Sequence, residues 1–139
     1  MLKKTVITLI ILFFYSINVY AEGNTNIEIF DITKGKVVKV LQTDSKIEKI
    51  AINYLKEINC VHGKFNPIPE KGYAIAIALE NFVKIEGKWL NAFVNEVIII
   101  FPEQEPPFLV VIDDKDRLVC FGFKGDTSLL LKIIKFKLD

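Results

Sequence analysis

The residues of this chain that could perform chemistry are few, and two of them stand close together. Cys60 and His62 are one residue apart in Cys-Val-His. A cysteine beside a histidine can serve nucleophilic catalysis or zinc binding. Because His62 is the only histidine, a zinc site built on several histidines is excluded. Catalysis would also need a third, orienting group that the sequence does not display. The pattern therefore favours a packed cysteine and a loop histidine.

An acidic cluster forms a second group of possible ligands. Asp113, Asp114 and Asp116 could supply oxygen atoms to Ca²⁺. No glycine or glutamate stands where a calcium-binding EF-hand loop requires it. The pattern is typical of a solvated turn between two strands, so we predict no metal and no cofactor.

Trp89 is the only tryptophan, and it follows the predicted turn Glu86-Gly87-Lys88. An indole exposed at such a position would indicate contact with a ligand or a partner. The alternative is a ring that folds back onto the edge of the sheet.

Composition and motifs exclude several classes of protein. The net charge is +1, and Arg117 is the only arginine, so there is no electrostatic case for binding nucleic acid or an anionic membrane surface. The chain has no Gly-x-Ser-x-Gly elbow, no phosphate-binding loop, no dinucleotide fingerprint and no Cys-x-x-Cys pair. The sequence therefore predicts a protein that is not an enzyme.

The N-terminal segment has the layout of a signal peptide. Residues 1–21 contain Lys3 and Lys4, an apolar run and a Val-x-Ala cleavage site. We predict cleavage after Ala21, a single domain over residues 22–139, and a location outside the cell or in its envelope. Contact with the membrane would then occur only through the signal segment before cleavage. The alternative is a segment that is retained as a membrane anchor.

Export would permit a disulfide bond between Cys60 and Cys120, the two cysteines of the chain. Such a bridge would close a long loop, although a domain of this size does not require one. The alternative is two buried or partly buried thiols.

One amphipathic helix organises the predicted fold. Residues 45–59 place apolar side chains at helical spacing on one stripe and charged side chains on the other. Ser45 and Glu48 match a capping box, which predicts the start of this helix.

Strands dominate the rest of the chain. They are predicted at 27–32, 37–41, 73–79, 82–86, 94–101, 108–112 and 117–123. The tail after Thr127 combines helical and alternating patterns, and we predict a short C-terminal helix with an extended end. The fold class is therefore α+β, with an antiparallel sheet of about five to seven strands packed on the 45–59 helix. Ala74, Ala76 and Ala78 share one strand face, which we expect to receive that helix closely.

The order of the strands predicts where a site would lie. If every connection after the helix reverses direction, the helix C-terminus and the turns at 86–89 and 113–116 meet at one end of the sheet. This placement requires 82–86 to be a true strand. The residues gathered at this candidate binding end are His62, Trp89, Asp113, Asp114 and Asp116.

The central strands are apolar on both faces, whereas the sequence supplies one strong helix to cover them. The C-terminal segment covers the second face, or that face binds a partner. We expect an exported, non-enzymatic domain that binds a protein or cell-envelope partner or a second copy of itself. The alternative is a small secreted metal-binding protein or enzyme that uses Cys60, His62 and Asp113–Asp116.

Overall fold

The computed structural model describes residues 26–62, 68–112, 115 and 117–138. The predicted signal peptide lies outside these residues, as do Asp113, Asp114 and Asp116. The described part of the chain forms one antiparallel sheet of seven strands in the order β2-β1-β4-β5-β6-β7-β3, together with two helices, which confirms the predicted α+β class. The strands are β1 (Asn26–Asp31), β2 (Lys36–Gln42), β3 (Ile58–Val61), β4 (Gly72–Glu86), β5 (Asn91–Pro102), β6 (Phe108–Ile112) and β7 (Leu118–Phe123). The helices are α1 (Ser45–Lys56) and α2 (Thr127–Ile133).

Helix α1 begins at the predicted residue but has a different cap. The side chain of Asp44 accepts a hydrogen bond of 2.9 Å from the Ile47 backbone N–H, so Asp44 is the N-cap. Glu48, the second member of the predicted capping box, instead accepts a hydrogen bond from the backbone N–H of Glu80 on β4. The predicted box is therefore wrong, because an aspartate one residue earlier satisfies the first turn.

Helix α1 also ends three residues earlier than predicted. Residues from Ile58 onward leave the helical stripe and pair with β7 as the short edge strand β3, whose Ile58 lies opposite Phe123. Pairing with β7 provides hydrogen bonds for this backbone, a contact between distant segments that helical periodicity cannot reveal.

Strand β4 joins two segments that were predicted as separate strands. Its residues pair with β5 from Gly72 to Ala78 and again from Val83 to Glu86, with a shift of register between the two stretches. The segment 82–86 is thus a true strand, as the predicted placement of the turns required. The irregularity separates a buried half of the β4–β5 hairpin from a half that carries exposed side chains.

Both helices lie on one face of the sheet, here called the helix face. The apolar stripe of α1 packs there against side chains that include Ile75, Ile77 and Ile99. Leu130 of α2 belongs to the same buried cluster. At the end of α2, the Lys39 ammonium donates hydrogen bonds to the carbonyl oxygens of Ile134 (3.1 Å) and Lys135 (3.2 Å). A cation bonded to terminal carbonyl groups stabilises the end of a helix.

The opposite face, here called the alanine face, carries Ala74, Ala76 and Ala78. The expectation that these alanines receive α1 is therefore wrong, because the isoleucines that alternate with them on β4 contact the helix instead. The C-terminal segment does form the predicted short helix, but it packs on the helix face and is not a second cover. The alanine-face cluster is nevertheless buried. Of its described members, Ile32 and Ile68 are the two that do not belong to a strand.

Neither α1 nor α2 is long and apolar enough to cross a membrane, and no other helix occurs among the described residues.

Candidate functional site

A groove lies where the tip of the β4–β5 hairpin approaches the C-terminal end of α1. Its volume is about 480 Å³. Among the described residues it is lined by Leu55, Lys56, Ile58, Lys84, Ile85, Glu86, Gly87, Lys88, Trp89 and Leu90. We call this concavity the Trp89 groove. Its apolar side chains come from three elements that the sequence separates: α1, β3 and the hairpin.

The indole of Trp89 is 41 % exposed, a large fraction for a tryptophan beside a groove. Its neighbour Leu90 is buried in the helix-face cluster and fixes the backbone of the turn. The turn is also held by a hydrogen bond of 2.9 Å from the Gly87 N–H to the Leu90 carbonyl oxygen. The ring is thus presented by an anchored turn, and of the two alternatives predicted for Trp89 the structure has the exposed indole.

Lysine side chains also line this groove. The Lys88 ammonium lies 5.0 Å from the centroid of the Trp89 ring, within cation–π range. The Lys84 ammonium forms an ion pair of 3.0 Å with Glu86 and lies 5.8 Å from the centroid of the Phe93 ring. Both partners of that ion pair are exposed, so it adds little to stability.

Two further aromatic side chains are exposed on the same hairpin. Phe82 is 61 % exposed and Phe93 is 45 % exposed. Phe93 lies directly opposite Lys84 on the neighbouring strand. Exposed aromatic side chains are enriched at protein interfaces, and here three of them belong to a single hairpin.

His62 lies elsewhere, beside the edge strand β3. Its imidazole stacks on the Phe108 ring, with centroids 4.1 Å apart and planes 7° from parallel. Its backbone N–H donates a hydrogen bond of 2.8 Å to the Cys120 carbonyl oxygen. Because Phe108 and Cys120 belong to the alanine-face cluster, the structure separates His62 from the Trp89 groove on the helix face. The remaining members of the predicted binding end, Asp113, Asp114 and Asp116, lie outside the described residues.

The two cysteines are free thiols on neighbouring strands. Cys60 lies opposite Gly122, and Cys120 precedes Gly122 by two residues on β7. This diagonal relationship separates the two residues more widely than directly paired positions, for which disulfide geometry is easier to reach. Cys60 is exposed, whereas Cys120 is buried and its desolvation raises the pKa of the thiol to about 11. In the structure neither cysteine forms the bridge that the sequence allows.

The sequence interpretation overlooked two acidic residues on the alanine face. Glu28 of β1 lies opposite Ala76, and Glu96 of β5 lies opposite Ala78. Directly opposite residues point to the same side of a sheet, so the two carboxyl groups flank the small side chains of β4. Glu28 is only 3 % exposed. The Oε2 atoms of both residues are buried without a hydrogen-bond partner in the structure.

This environment favours protonated carboxyl groups. Burial and, to a smaller extent, the charge of Glu28 together raise the pKa of Glu96 to about 7. Burial also raises the pKa of Glu28. Such a pair can hold a proton near neutral pH, which is the property of a general acid or a pH-responsive element. The described residues contain no group of three or more histidine, cysteine, aspartate or glutamate side chains arranged to hold a metal ion.

Sequence signals for these features exist but are weak. Glu28 stands between Ile27 and Ile29, so alternation alone assigns it to the solvent side of a strand. The order of strands in the sheet decides otherwise, because β1 lies between β2 and β4 instead of at an edge. The Trp89 groove requires the tip of the β4–β5 hairpin to meet the end of α1. No local sequence pattern encodes such a contact between distant segments.

Comparison with models of protein families, with curated proteins and with solved structures found no match for this chain. The candidate sites are therefore interpreted from their geometry.

Proposed function

We propose that this protein is an exported, non-enzymatic domain that binds a protein partner through the Trp89 groove. The observation that carries the proposal is the exposed Trp89 indole beside an apolar concavity of about 480 Å³. Tryptophan is the residue type most typical of the energetic centre of a protein interface. The volume suits one or two apolar side chains of a partner.

The apolar floor supports this proposal because it is already fixed and needs no reorganisation of the fold. Leu55 and Leu90 are held in the helix-face core. A partner that covered the exposed Trp89 indole would gain roughly 25 cal/mol for each Å² of apolar surface removed from water. Phe82 and Phe93 are exposed on the same hairpin, but they do not line the groove.

Export to the medium or the cell envelope is part of the proposal and rests on the predicted signal peptide at residues 1–21. The partner would then be a protein of the cell envelope or of the surroundings.

Site-specific photo-crosslinking tests the proposal. A photoreactive amino acid in place of Trp89 is introduced in the producing cell, and the crosslinked species are identified by mass spectrometry. We expect one species of defined mass whose yield falls when excess unlabelled wild-type protein competes. A Trp89→Ala competitor should fail to reduce the yield.

A matched control places the same photoreactive residue at Leu129, which is 51 % exposed on α2, away from the groove. The proposal requires the competed species to form from position 89 and not from position 129. Equal labelling from both positions, or no competed species at position 89, would overturn it.

The competing function is a metal-binding protein or enzyme that uses Cys60, His62 and Asp113–Asp116. Calorimetric titration with Ca²⁺ and Zn²⁺, repeated on Cys60→Ser and His62→Ala variants, separates the two functions. Saturable binding that the variants abolish would favour this alternative.

A further inference from the structure

The charges around the Trp89 groove are unequal. Its described lining contains three lysines, Lys56, Lys84 and Lys88, and one acid, Glu86. Since Glu86 pairs with Lys84 at 3.0 Å, the excess positive charge resides on Lys56 and Lys88. This local excess contrasts with the near-neutral charge of the whole chain.

The two lysines come from different elements on the rim of the groove. Lys56 is the last residue of α1, and Lys88 belongs to the tip of the hairpin. The apolar lining contributed by Leu55, Ile58, Ile85 and Leu90 accompanies them. A ligand that buries an apolar side chain in the groove would therefore expose its neighbouring residues to positive charge.

We infer that the partner segment bound by the Trp89 groove is an acidic peptide with one apolar anchor residue flanked by aspartate or glutamate. This inference rests on the function proposed above and adds the chemistry of the partner. The anchor occupies the apolar groove against the indole, and the flanking carboxylates face Lys56 and Lys88. Such complementarity selects against basic segments and speeds the encounter with acidic ones.

Selection from a random displayed peptide library tests the inference directly. Wild-type protein is the target, and binders that the Trp89→Ala variant retains are removed. We expect the surviving peptides to be enriched in aspartate and glutamate around a leucine, isoleucine, phenylalanine or tryptophan. Peptides of neutral or positive net charge would overturn the inference, as would the absence of any survivor.

The sole tryptophan then reports binding of a selected peptide, because the fluorescence of Trp89 should shift to shorter wavelength as the indole leaves water. We expect affinity to fall at least tenfold in the Lys56→Glu/Lys88→Glu variant. Lys46 and Lys49 are exposed on the outer face of the same helix, so a Lys46→Glu/Lys49→Glu variant is the matched control and should bind within about twofold of wild type. Equal losses in the two variants would overturn the inference.

A peptide whose acids are replaced by lysine provides the reciprocal measurement. It should fail to bind wild type and should gain affinity for the Lys56→Glu/Lys88→Glu variant. The last measurement uses vesicles of phosphatidylglycerol. A shift of Trp89 fluorescence with these vesicles but not with the selected peptides would assign the surface to an anionic membrane. That result would overturn the inference. If crosslinking identifies a competed partner while the peptides fail, the proposed function stands and its acidic chemistry is rejected.

Discussion

Glu28 and Glu96 lie on the same face of the sheet, on the two strands that flank β4, where each is opposite an alanine. The small side chains of Ala76 and Ala78 leave the two carboxyl groups electrostatically coupled across one strand, with a buried and unpartnered oxygen on each. Burial of two acids without a compensating cation favours the protonated form.

The first prediction concerns pH. Because the pKa of Glu96 is raised from 4.5 to about 7, the folded protein binds more protons than the unfolded chain between these values. Stability should therefore fall as pH rises from about 4.5 to about 7, by at most on the order of 3 kcal/mol for this group. Glu96→Gln, which imitates the protonated form, should lose most of this dependence, as measured by urea denaturation at several pH values.

The control for this prediction is Glu103→Gln in an exposed loop, which should leave the pH profile of wild type unchanged. Glu28→Gln should restore part of the stability at pH 8, since it removes the charge that opposes ionisation of Glu96. Parallel pH profiles for wild type and Glu96→Gln would contradict the prediction.

The second prediction separates the two caps considered for α1. Asp44→Ala removes the side-chain acceptor of the Ile47 N–H and should lower the free energy of unfolding by roughly 0.5–2 kcal/mol. Ser45→Ala should change it by less than about 0.5 kcal/mol, because Ser45 is an exposed residue of the first turn. The free energies of unfolding are measured by chemical denaturation of both variants. A larger loss of stability in Ser45→Ala would contradict the Asp44 cap and support the capping box predicted from Ser45 and Glu48.

Local patterns predicted most of this fold. Each of three patterns predicts one element. The alternation at Ile27 and Ile29 predicts β1, the continuous apolar run around Ile98 predicts β5, and the helical stripe that contains Ala51 predicts α1. Strand β3 and the true end of α1 could not be predicted in this way. Their positions depend on pairing with β7, which lies about sixty residues farther along the chain.

The candidate site was predictable only in part. The position of Trp89 after a turn left two alternatives, an exposed indole or a ring folded onto the edge of the sheet, and the structure has the exposed indole. The separation of His62 from Trp89 follows from β3, since that unforeseen strand carries His62 toward Phe108 on the alanine face. The coupling of Glu28 with Glu96 arises because β1, β4 and β5 lie side by side in the sheet. This arrangement is a property of the whole sheet and not of any single segment.

The third prediction concerns Gly72 at the start of β4. Its φ of +135° is one that other residues rarely adopt, and a Cβ there would lie 2.1 Å from the Phe101 carbonyl oxygen. Gly72→Ala should therefore destabilise the fold by roughly 2 kcal/mol or more. Gly87→Ala is the control, because its added Cβ would meet the nearest atom, the Leu90 carbonyl oxygen, at 3.4 Å. Similar thermal melting of the two variants would contradict the clash at Gly72.

The fourth prediction distinguishes the two thiols by their reactivity. Cys60 is exposed, whereas Cys120 is buried with a pKa of about 11. At pH 8 only about one Cys120 side chain in a thousand would be the reactive thiolate, even before burial slows access. We therefore expect one thiol of the unreduced native protein to react promptly with an aromatic disulfide reagent and the second to react only after denaturation.

Single variants assign these two phases. Cys60→Ser should remove the fast phase and keep the slow one, while Cys120→Ser should do the reverse. A count of two thiols in unreduced, denatured protein agrees with the register of β3 and β7, in which Cys60 pairs with Gly122. A count of zero in monomeric protein would mean that the edge strand shifts along β7 to bring Cys60 to Cys120. In that case the position of His62 over Phe108 would have to change with it, because both residues belong to the same short segment.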